Sequence, residues 1–386
     1  MNIFEEDKEF IAGTYNRFPV AIVSGKGSLL TDIDGKNYID MGAGIAVNSF
    51  GAADEKWQEA VIQQIKKVQH TSNLYYSEPP ARLAHMLCDR TGMKKVFFSN
   101  SGAEANECAF KVARKYAADK KGPEYFNIIT LKNSFHGRTL TCLSATGQEH
   151  YHELFQPLTP GFLHAEANNL DDVKNLIANN KTAAVMIECV QGEGGVVALD
   201  ADYVKALADF VKANDILLVV DEVQTGNGRS GKLYSYMNFD IQPDVVSTAK
   251  GLAGGLPIGA TLLGEKVQNV LGAGDNGSTF GGNLVSCAAG VSILERIDEN
   301  LLSEVRAKSK FLFDEFSNSE GIEAVTGMGL MIGLKTTKPA SEVVKKCIEK
   351  GVLCLTAKDR IRLLPALNIP MELLEKAAKI IKECCK

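Results

Sequence analysis

The sequence predicts an α/β fold in which a mostly parallel central sheet is covered by helices, with a smaller α+β domain toward the C-terminus. Two patterns carry this. From about residue 95 to about residue 265, apolar runs of strand length (KKVFFSN, FNIITL, AAVMIEC, ILLVVDE, DVVSTA and IGATLLG) alternate with helical or loop stretches, as parallel strands joined by crossover helices do. From about residue 320, strand-like segments (IEAVTG, LMIGLK, VLCLT, RIRLLPA) mix with helical ones (ASEVVKKCIEKG, ELLEKAAKIIKECC), the pattern of an α+β unit. A chain of 386 residues, 45% hydrophobic, can bury one large core or two smaller ones.

Taken in order, AIVSGKGSLLTDIDGKNYIDM reads as a meander turning at Asp34-Gly35. A helix follows over EKWQEAVIQQIKKVQ, with Trp57, Ala60, Val61, Gln64 and Ile65 spaced for one buried stripe. Another covers ARLAHMLCDR. Within the alternating region, AEANECAFKVARKYAA and DADYVKALADFVKAN are the clearest helices, and one long helix is expected through VSCAAGVSILERIDENLLSEVRAKSKFLFDEF. The boundaries expected are 1–50 for an N-terminal segment belonging to the small domain, 51–285 for the large α/β domain, and 286–386 for the C-terminal small domain.

The formal net charge is −5 and the pI about 5.8, which favours neither nucleic acid nor an anionic membrane surface as a partner. No run is long enough to span a bilayer. The opening MNIFEEDKEF is acidic and lacks the order of a secretory signal. Nine cysteines without paired spacings suit reduced thiols. The expected setting is the cytoplasm.

The stretch LLVVDEVQTGNGRSGKL imitates a nucleotide site. Gly226, Gly228 and Gly231 fit G-x-G-x-x-G, and Gly231-Lys232 closes a G-x-x-x-x-G-K frame. A phosphate-cradling loop needs Ser or Thr after that lysine and a helix directly beyond it; Leu233 and the non-periodic KLYSYMNFDIQPD stand there instead. The glycines read as a turn, and the interest passes to Asp221, which ends an apolar strand where a carboxylate needs a cation or hydrogen bonds.

In parallel sheets, ligands sit at the carboxyl ends of the strands. After KKVFFSN comes Ser101-Gly102-Ala103-Glu104: Ser-x-x-Glu is a capping box, and the same geometry leaves a helix N-terminus ready for phosphate. After FNIITLKN comes Ser134-Phe135-His136-Gly137-Arg138, which reads either as ordinary surface or as a stacking platform with a carboxylate clamp. Glu188 and Glu193 bracket a flexible turn after AAVMIE, and Lys250 follows DVVSTA. His150 and His152 are spaced like a metal pair, but no carboxylate or cysteine cluster supports them; both read as surface residues, and no metal site is expected. Taken together, a phosphate site, an aromatic platform, a buried aspartate and a strand-end lysine are the parts needed to hold pyridoxal phosphate. The lysine would bond the cofactor, and the aspartate would keep its pyridine nitrogen protonated.

At this point the sequence resembles the class III aminotransferases of the fold-type I pyridoxal-phosphate enzymes, over nearly its whole length. The motifs are YIDMGAGIAV, FFSNSGAEANECAFKVAR, SFHGRT, IECVQGEGG, DEVQTGNGRSGKL, STAKGLAGGLPIGA, GSTFGGN and RLLPAL. Within that class, GIAV, FHGRT and QGEGG are most similar to the branch acting on acetylornithine. The resemblance implies that Lys250 bonds the cofactor and shuttles a proton, Asp221 binds the pyridine nitrogen, and Gln224 the phenolic oxygen. Phe135 and Val223 would cover the two ring faces, Ser101, Gly102 and Ala103 would bind the phosphate, and Glu188 would support the hydrogen-bond network. Thr279, in GSTFGG, would reach the cofactor phosphate of a neighbouring subunit, which implies a homodimer with shared sites, and Ser278 beside it would bind substrate.

The resemblance also implies substrate roles. Arg138 would hold the α-carboxylate of N-acetylornithine, the expected amine donor, and Arg362 a carboxylate of 2-oxoglutarate, with Glu193 pairing Arg362 when that carboxylate is absent. Ile45 stands where ornithine aminotransferases carry a Tyr and suits an acylated amine. Departures from the family pattern are Gly51-Ala52-Ala53-Asp54-Glu55, where Gly-His-x-His-Pro is common, and Cys189 in place of a Pro. Ornithine, succinylornithine, GABA or another ω-amine remain alternative donors. An aminomutase and a non-catalytic cofactor-binding relative are the rival roles.

Overall fold

In the computed structural model, which describes residues 2–386, a helix over Ile3–Phe10 precedes an antiparallel meander of β1 (Ile22–Lys26), β2 (Leu29–Asp32) and β3 (Asn37–Asp40). Gly35 makes its turn at a φ of +81°, a left-handed conformation that glycine adopts without a steric penalty. The six apolar runs then all enter one sheet. They are β4 (Lys95–Ser99), β5 (Asn127–Leu131), β7 (Thr182–Ile187), β10 (Leu217–Asp221), β11 (Val245–Thr248) and β12 (Gly259–Leu263), and β6 (Phe162–Ala165) joins them. A short hairpin of β8 (Val190–Gln191) and β9 (Val197–Ala198) follows β7.

The sheet order is β4-β12-β11-β10-β7-β5-β6. Only β12 runs against its neighbours. Every residue of β7 and β10 is buried, as expected of strands covered on both faces. The consequence for function is directional: β4, β5, β7, β10 and β11 point the same way, so the loops leaving them share one edge.

The C-terminal part forms a second sheet of β13 (Ile322–Met328), β14 (Met331–Thr336), β17 (Arg360–Leu363) and β16 (Leu355–Ala357), in that order. Between them in sequence, β15 (Val352–Leu353) leaves to pair in parallel with β3, so the N-terminal meander and the C-terminal part are joined by backbone hydrogen bonds.

Several expectations need correction. The single long helix is two, Leu284–Leu294 and Glu299–Phe316. Asp298 caps the second by accepting from Leu301 N at 2.9 Å, while Arg90 takes the carbonyls of Leu294 and Ile297 at 2.6 and 2.5 Å; both ends of the break are thus satisfied. The half-buried edge strand β6 was not anticipated, since FLHA is short and interrupted by a histidine. On the helix Glu55–Lys67 the expected stripe is shallower: Gln64 is buried but Ile65 is 54% exposed. His152, expected at the surface, is half-buried, with Nε2 at 2.9 and 2.8 Å from the carbonyls of Leu143 and Thr146. No helix among the described residues is long and apolar enough to cross a membrane.

Candidate active site

The loops from the shared sheet edge close around a cavity of about 370 Å³. Its lining includes Ser101, Gly102 and Ala103 after β4, Phe135 after β5, Glu188 after β7, Asp221, Val223 and Gln224 at the end of β10, and Lys250 after β11. These positions are far apart in sequence, and parallel strands bring them together.

At one end, Ser101 caps the helix Gly102–Lys121, its Oγ accepting from Glu104 N at 3.2 Å. Glu104 reaches back one residue further than a standard capping box, accepting from the backbone and side chain of Asn100 at 2.5 and 2.9 Å. Ala105 N is satisfied by the Ser101 carbonyl, which leaves Gly102 and Ala103, the first N–H groups of the turn, without intrahelical acceptors. Packing explains the glycines here. A Cβ on Gly102 would lie 2.6 Å from Val223 Cγ1, and one on Gly259 would lie 2.2 Å from the Ser101 carbonyl oxygen.

At the other end Asp221 is 4% exposed. Its Oδ2 accepts from Asn106 Nδ2 and His136 Nδ1, both at 2.8 Å, and its Oδ1 from Val223 N at 2.9 Å. Asn106 also donates to the His136 carbonyl at 2.7 Å. His136 Nδ1 must carry a proton to bond the carboxylate, and its Nε2 is buried without a protein partner. Burial opposes a charge on His136, yet the hydrogen bond to Asp221 and the charges of Asp221 and Glu188 outweigh it and hold the imidazole pKa above its usual value. Burial pushes Glu188 up to about 7, with His136 opposing the rise and Asp221 adding to it. Glu188 Oε2 accepts from Phe135 N at 2.9 Å, which ties the aromatic residue to the same network.

Lys250 is half-buried and holds a φ of +46°, a left-handed conformation costing on the order of 1–3 kcal/mol that tends to persist at functional sites. Burial lowers its pKa; Glu193 and Asp221 oppose that shift and Arg362 adds to it. Arg362 is 4% exposed and pairs through Nη1 with Glu193 Oε1. The same nitrogen donates to Gln224 Oε1 at 3.2 Å, and Gln224 Nε2 lies 3.4 Å from Glu193. Burial would raise the Glu193 pKa, but Arg362 more than reverses this and the net shift is downward.

Other expected residues lie outside the cavity lining. Arg138 is exposed, its Cζ 4.3 Å from the ring centroid of Tyr151 and 5.5 Å from that of Phe135. Ile45 is 41% exposed and lines a different cavity, of about 660 Å³. Thr279 is exposed; Ser278 Oγ accepts from Asn100 Nδ2 at 3.1 Å and from Gly281 N at 3.0 Å. Two residues around Asp221 escaped the sequence reading. His136 lay inside a quoted motif without a role, and Asn106 was a polar residue on the otherwise apolar buried face of an amphipathic helix. That second mismatch was the available signal.

The donor set fits pyridoxal phosphate. Free N–H groups at a helix start suit a phosphate, a buried carboxylate facing the cavity suits a protonated pyridine nitrogen, and a half-buried lysine of lowered pKa suits an aldehyde. When bound, the cofactor supplies that aldehyde and an electron-accepting ring. The fold and the site thus define a pyridoxal-phosphate-dependent enzyme. More particularly, the chain belongs to the aminotransferase class-III family, whose pattern matches residues 10–385. It is similar to the acetylornithine aminotransferase of Haemophilus ducreyi, 49% identical over 98% of this chain and 96% of that one. It is also similar to that of Aquifex aeolicus, 44% identical over 97% and 99%. Among solved structures, the Toxoplasma gondii ornithine aminotransferase superposes with a TM-score of 0.95 at 30% identity, covering 99% of this chain and 94% of that one.

Proposed function

We propose that this enzyme moves the terminal amine of N-acetylornithine to 2-oxoglutarate, giving N-acetylglutamate semialdehyde and glutamate, a step of arginine biosynthesis. The observation that carries the two-substrate cycle is the Arg362–Glu193 pair beside the cavity of Lys250. A buried cation is costly when its partner is lost; Glu193 serves while the first substrate is present and yields to a carboxylate of the second. The donor is supported by the names of the relatives at 41–49% identity and by the apolar side chain of Ile45.

In this reading Lys250 holds the cofactor and moves the proton at the substrate carbon. Asp221 keeps the ring nitrogen protonated, Gln224 bonds the phenolic oxygen, and Phe135 and Val223 hold the ring between them. Ser101, Gly102 and Ala103 take the phosphate, Glu188 steadies the network, and Arg138 takes the donor's α-carboxylate. The molecule is a cytoplasmic homodimer in which Thr279 reaches the phosphate of the partner's cofactor and Ser278 takes part in binding substrate. Residues 51–285 form the large domain, and 1–50 with 286–386 the small one.

The test is the visible spectrum of the holoenzyme mixed with N-acetylornithine, ornithine or GABA. Loss of the yellow band at the lowest concentration of N-acetylornithine, with recovery on adding 2-oxoglutarate, is expected. Bleaching by another amine alone would replace the donor, and a Lys250→Ala enzyme that still turned over would overturn the site.

A further inference from the structure

The glycine-bearing turn that imitates a nucleotide motif has no part in the chemistry above, yet it carries Arg229, a cation only 2% exposed. Its Nη1 donates to the carbonyl of Leu330 at 3.1 Å and to that of Pro365. The Arg229 carbonyl in turn accepts from Leu330 N at 2.9 Å. Contact is so close that a Cβ on Gly329, whose φ is +61°, would lie 2.2 Å from the Arg229 oxygen. Burial pulls the guanidinium pKa down to about 9, and the charge of Asp40 opposes the shift.

The two carbonyls lie together at one end of the strand pair that carries Arg362. Leu330 is in the turn from β13 to β14, Gly333 of β14 is paired with Arg362 of β17, and Pro365 follows the end of β17 at Leu363. The same turn of chain also carries Gln224, which touches Arg362 directly. Arg362 is therefore held by one end of the 221–231 stretch through the side chain of Gln224, while the other end, through Arg229, holds the backbone where β14 begins and β17 ends.

We propose that Arg229 is a positioning residue for the 2-oxoglutarate half of the reaction: by tying the β13–β14 turn and Pro365 to the stretch that bears Gln224, it sets where Arg362 meets the incoming carboxylate. This rests on the reading of Arg362 given above. Both carbonyls are met by one nitrogen, Nη1; a lysine side chain is one bond shorter and its ammonium does not extend to that point. Displacing a binding group by an ångström costs up to about a hundredfold in rate.

The test measures both half-reactions of the holoenzyme separately, from the cofactor band, for Arg229→Lys, Arg229→Met and Arg362→Ala. For the Arg229 variants the KM for 2-oxoglutarate is expected to rise by about tenfold or more, with the KM for the amine donor changing less than about twofold and the resting spectrum unchanged. If Arg229→Met fails to fold, Arg229→Lys, which keeps the buried charge, carries the test. Equal rises for both substrates, or no rise for either, would reduce Arg229 to a structural residue and overturn the proposal. An Arg362→Ala enzyme with an unchanged 2-oxoglutarate KM would remove the underlying reading and the proposal together; a raised KM there with unaffected Arg229 variants would remove the proposal alone.

Discussion

His136 carries the hydrogen bond that most directly conditions Asp221, and its role is separable from packing. Replacing it with Ala removes a charge-assisted bond worth about 1.5–3 kcal/mol, so kcat/KM is expected to fall by roughly tenfold to a hundredfold. Steady-state kinetics, with the cofactor band followed against pH, check this; an unchanged rate would show that Asn106 and Val223 suffice. Glu188 gives a pH prediction. Its pKa rises from 4.5 to about 7 in the fold, so the native state binds more protons than the unfolded one between those values, and its contribution to stability falls as pH climbs through that window. The melting temperature of Glu188→Gln apoenzyme should accordingly decline less from pH 5 to pH 8 than that of the unaltered protein.

The helix Gly102–Lys121 does two things with one cap. Ser101 and Glu104 close its first turn, and the N–H groups left over face the cavity. Gly102 is the hinge of that arrangement because Val223 fills the space a side chain would need. Gly102→Ala must push the helix start and the β10 end apart. Overpacking of this kind costs about 1–3 kcal/mol, and the affinity for pyridoxal phosphate should drop by about tenfold or more, measurable by titrating apoenzyme with the cofactor. An affinity equal to that of the unaltered enzyme would mean the helix start does not touch the phosphate.

At the scale of the molecule, Asn73 Nδ2 donates to the carbonyls of Ser278 and Gly281 at 3.0 and 2.8 Å. This joins the segment bearing Leu74, Tyr75 and Tyr76 to the one bearing Phe280, and all four side chains are largely exposed. Apolar groups gathered this way mark an interaction surface, and Thr279 lies within it. On the homodimer proposed above, Phe280→Asp is expected to yield a monomer in sedimentation and to lose cofactor along with the partner. Thr279→Ala should leave the dimer intact and weaken cofactor retention. A monomeric unaltered enzyme that kept full activity would remove the shared-site arrangement.

Much of this architecture was legible because its determinants are local. Apolar runs of strand length became the central sheet, and the residues at their ends (Ser101, Phe135, Glu188, Asp221, Lys250) came to one edge because parallel strands share a direction. The antiparallel turn of β12, the break before Asp298 and the edge strand β6 were not legible, since each depends on what packs or bonds against it: Ser101 against Gly259, Arg90 against the helix end, β5 against FLHA. The site divides the same way. Sequence alone determined which residue types stand at the strand ends and hence the chemistry they can perform. Only the tertiary structure decided that Asn106 and His136 converge on Asp221, and that Gln224 and Arg229 take hold of Arg362 and the backbone around it. Those contacts join residues as much as about 140 positions apart, and long-range pairing of this kind is set by how the core closes rather than by any local propensity.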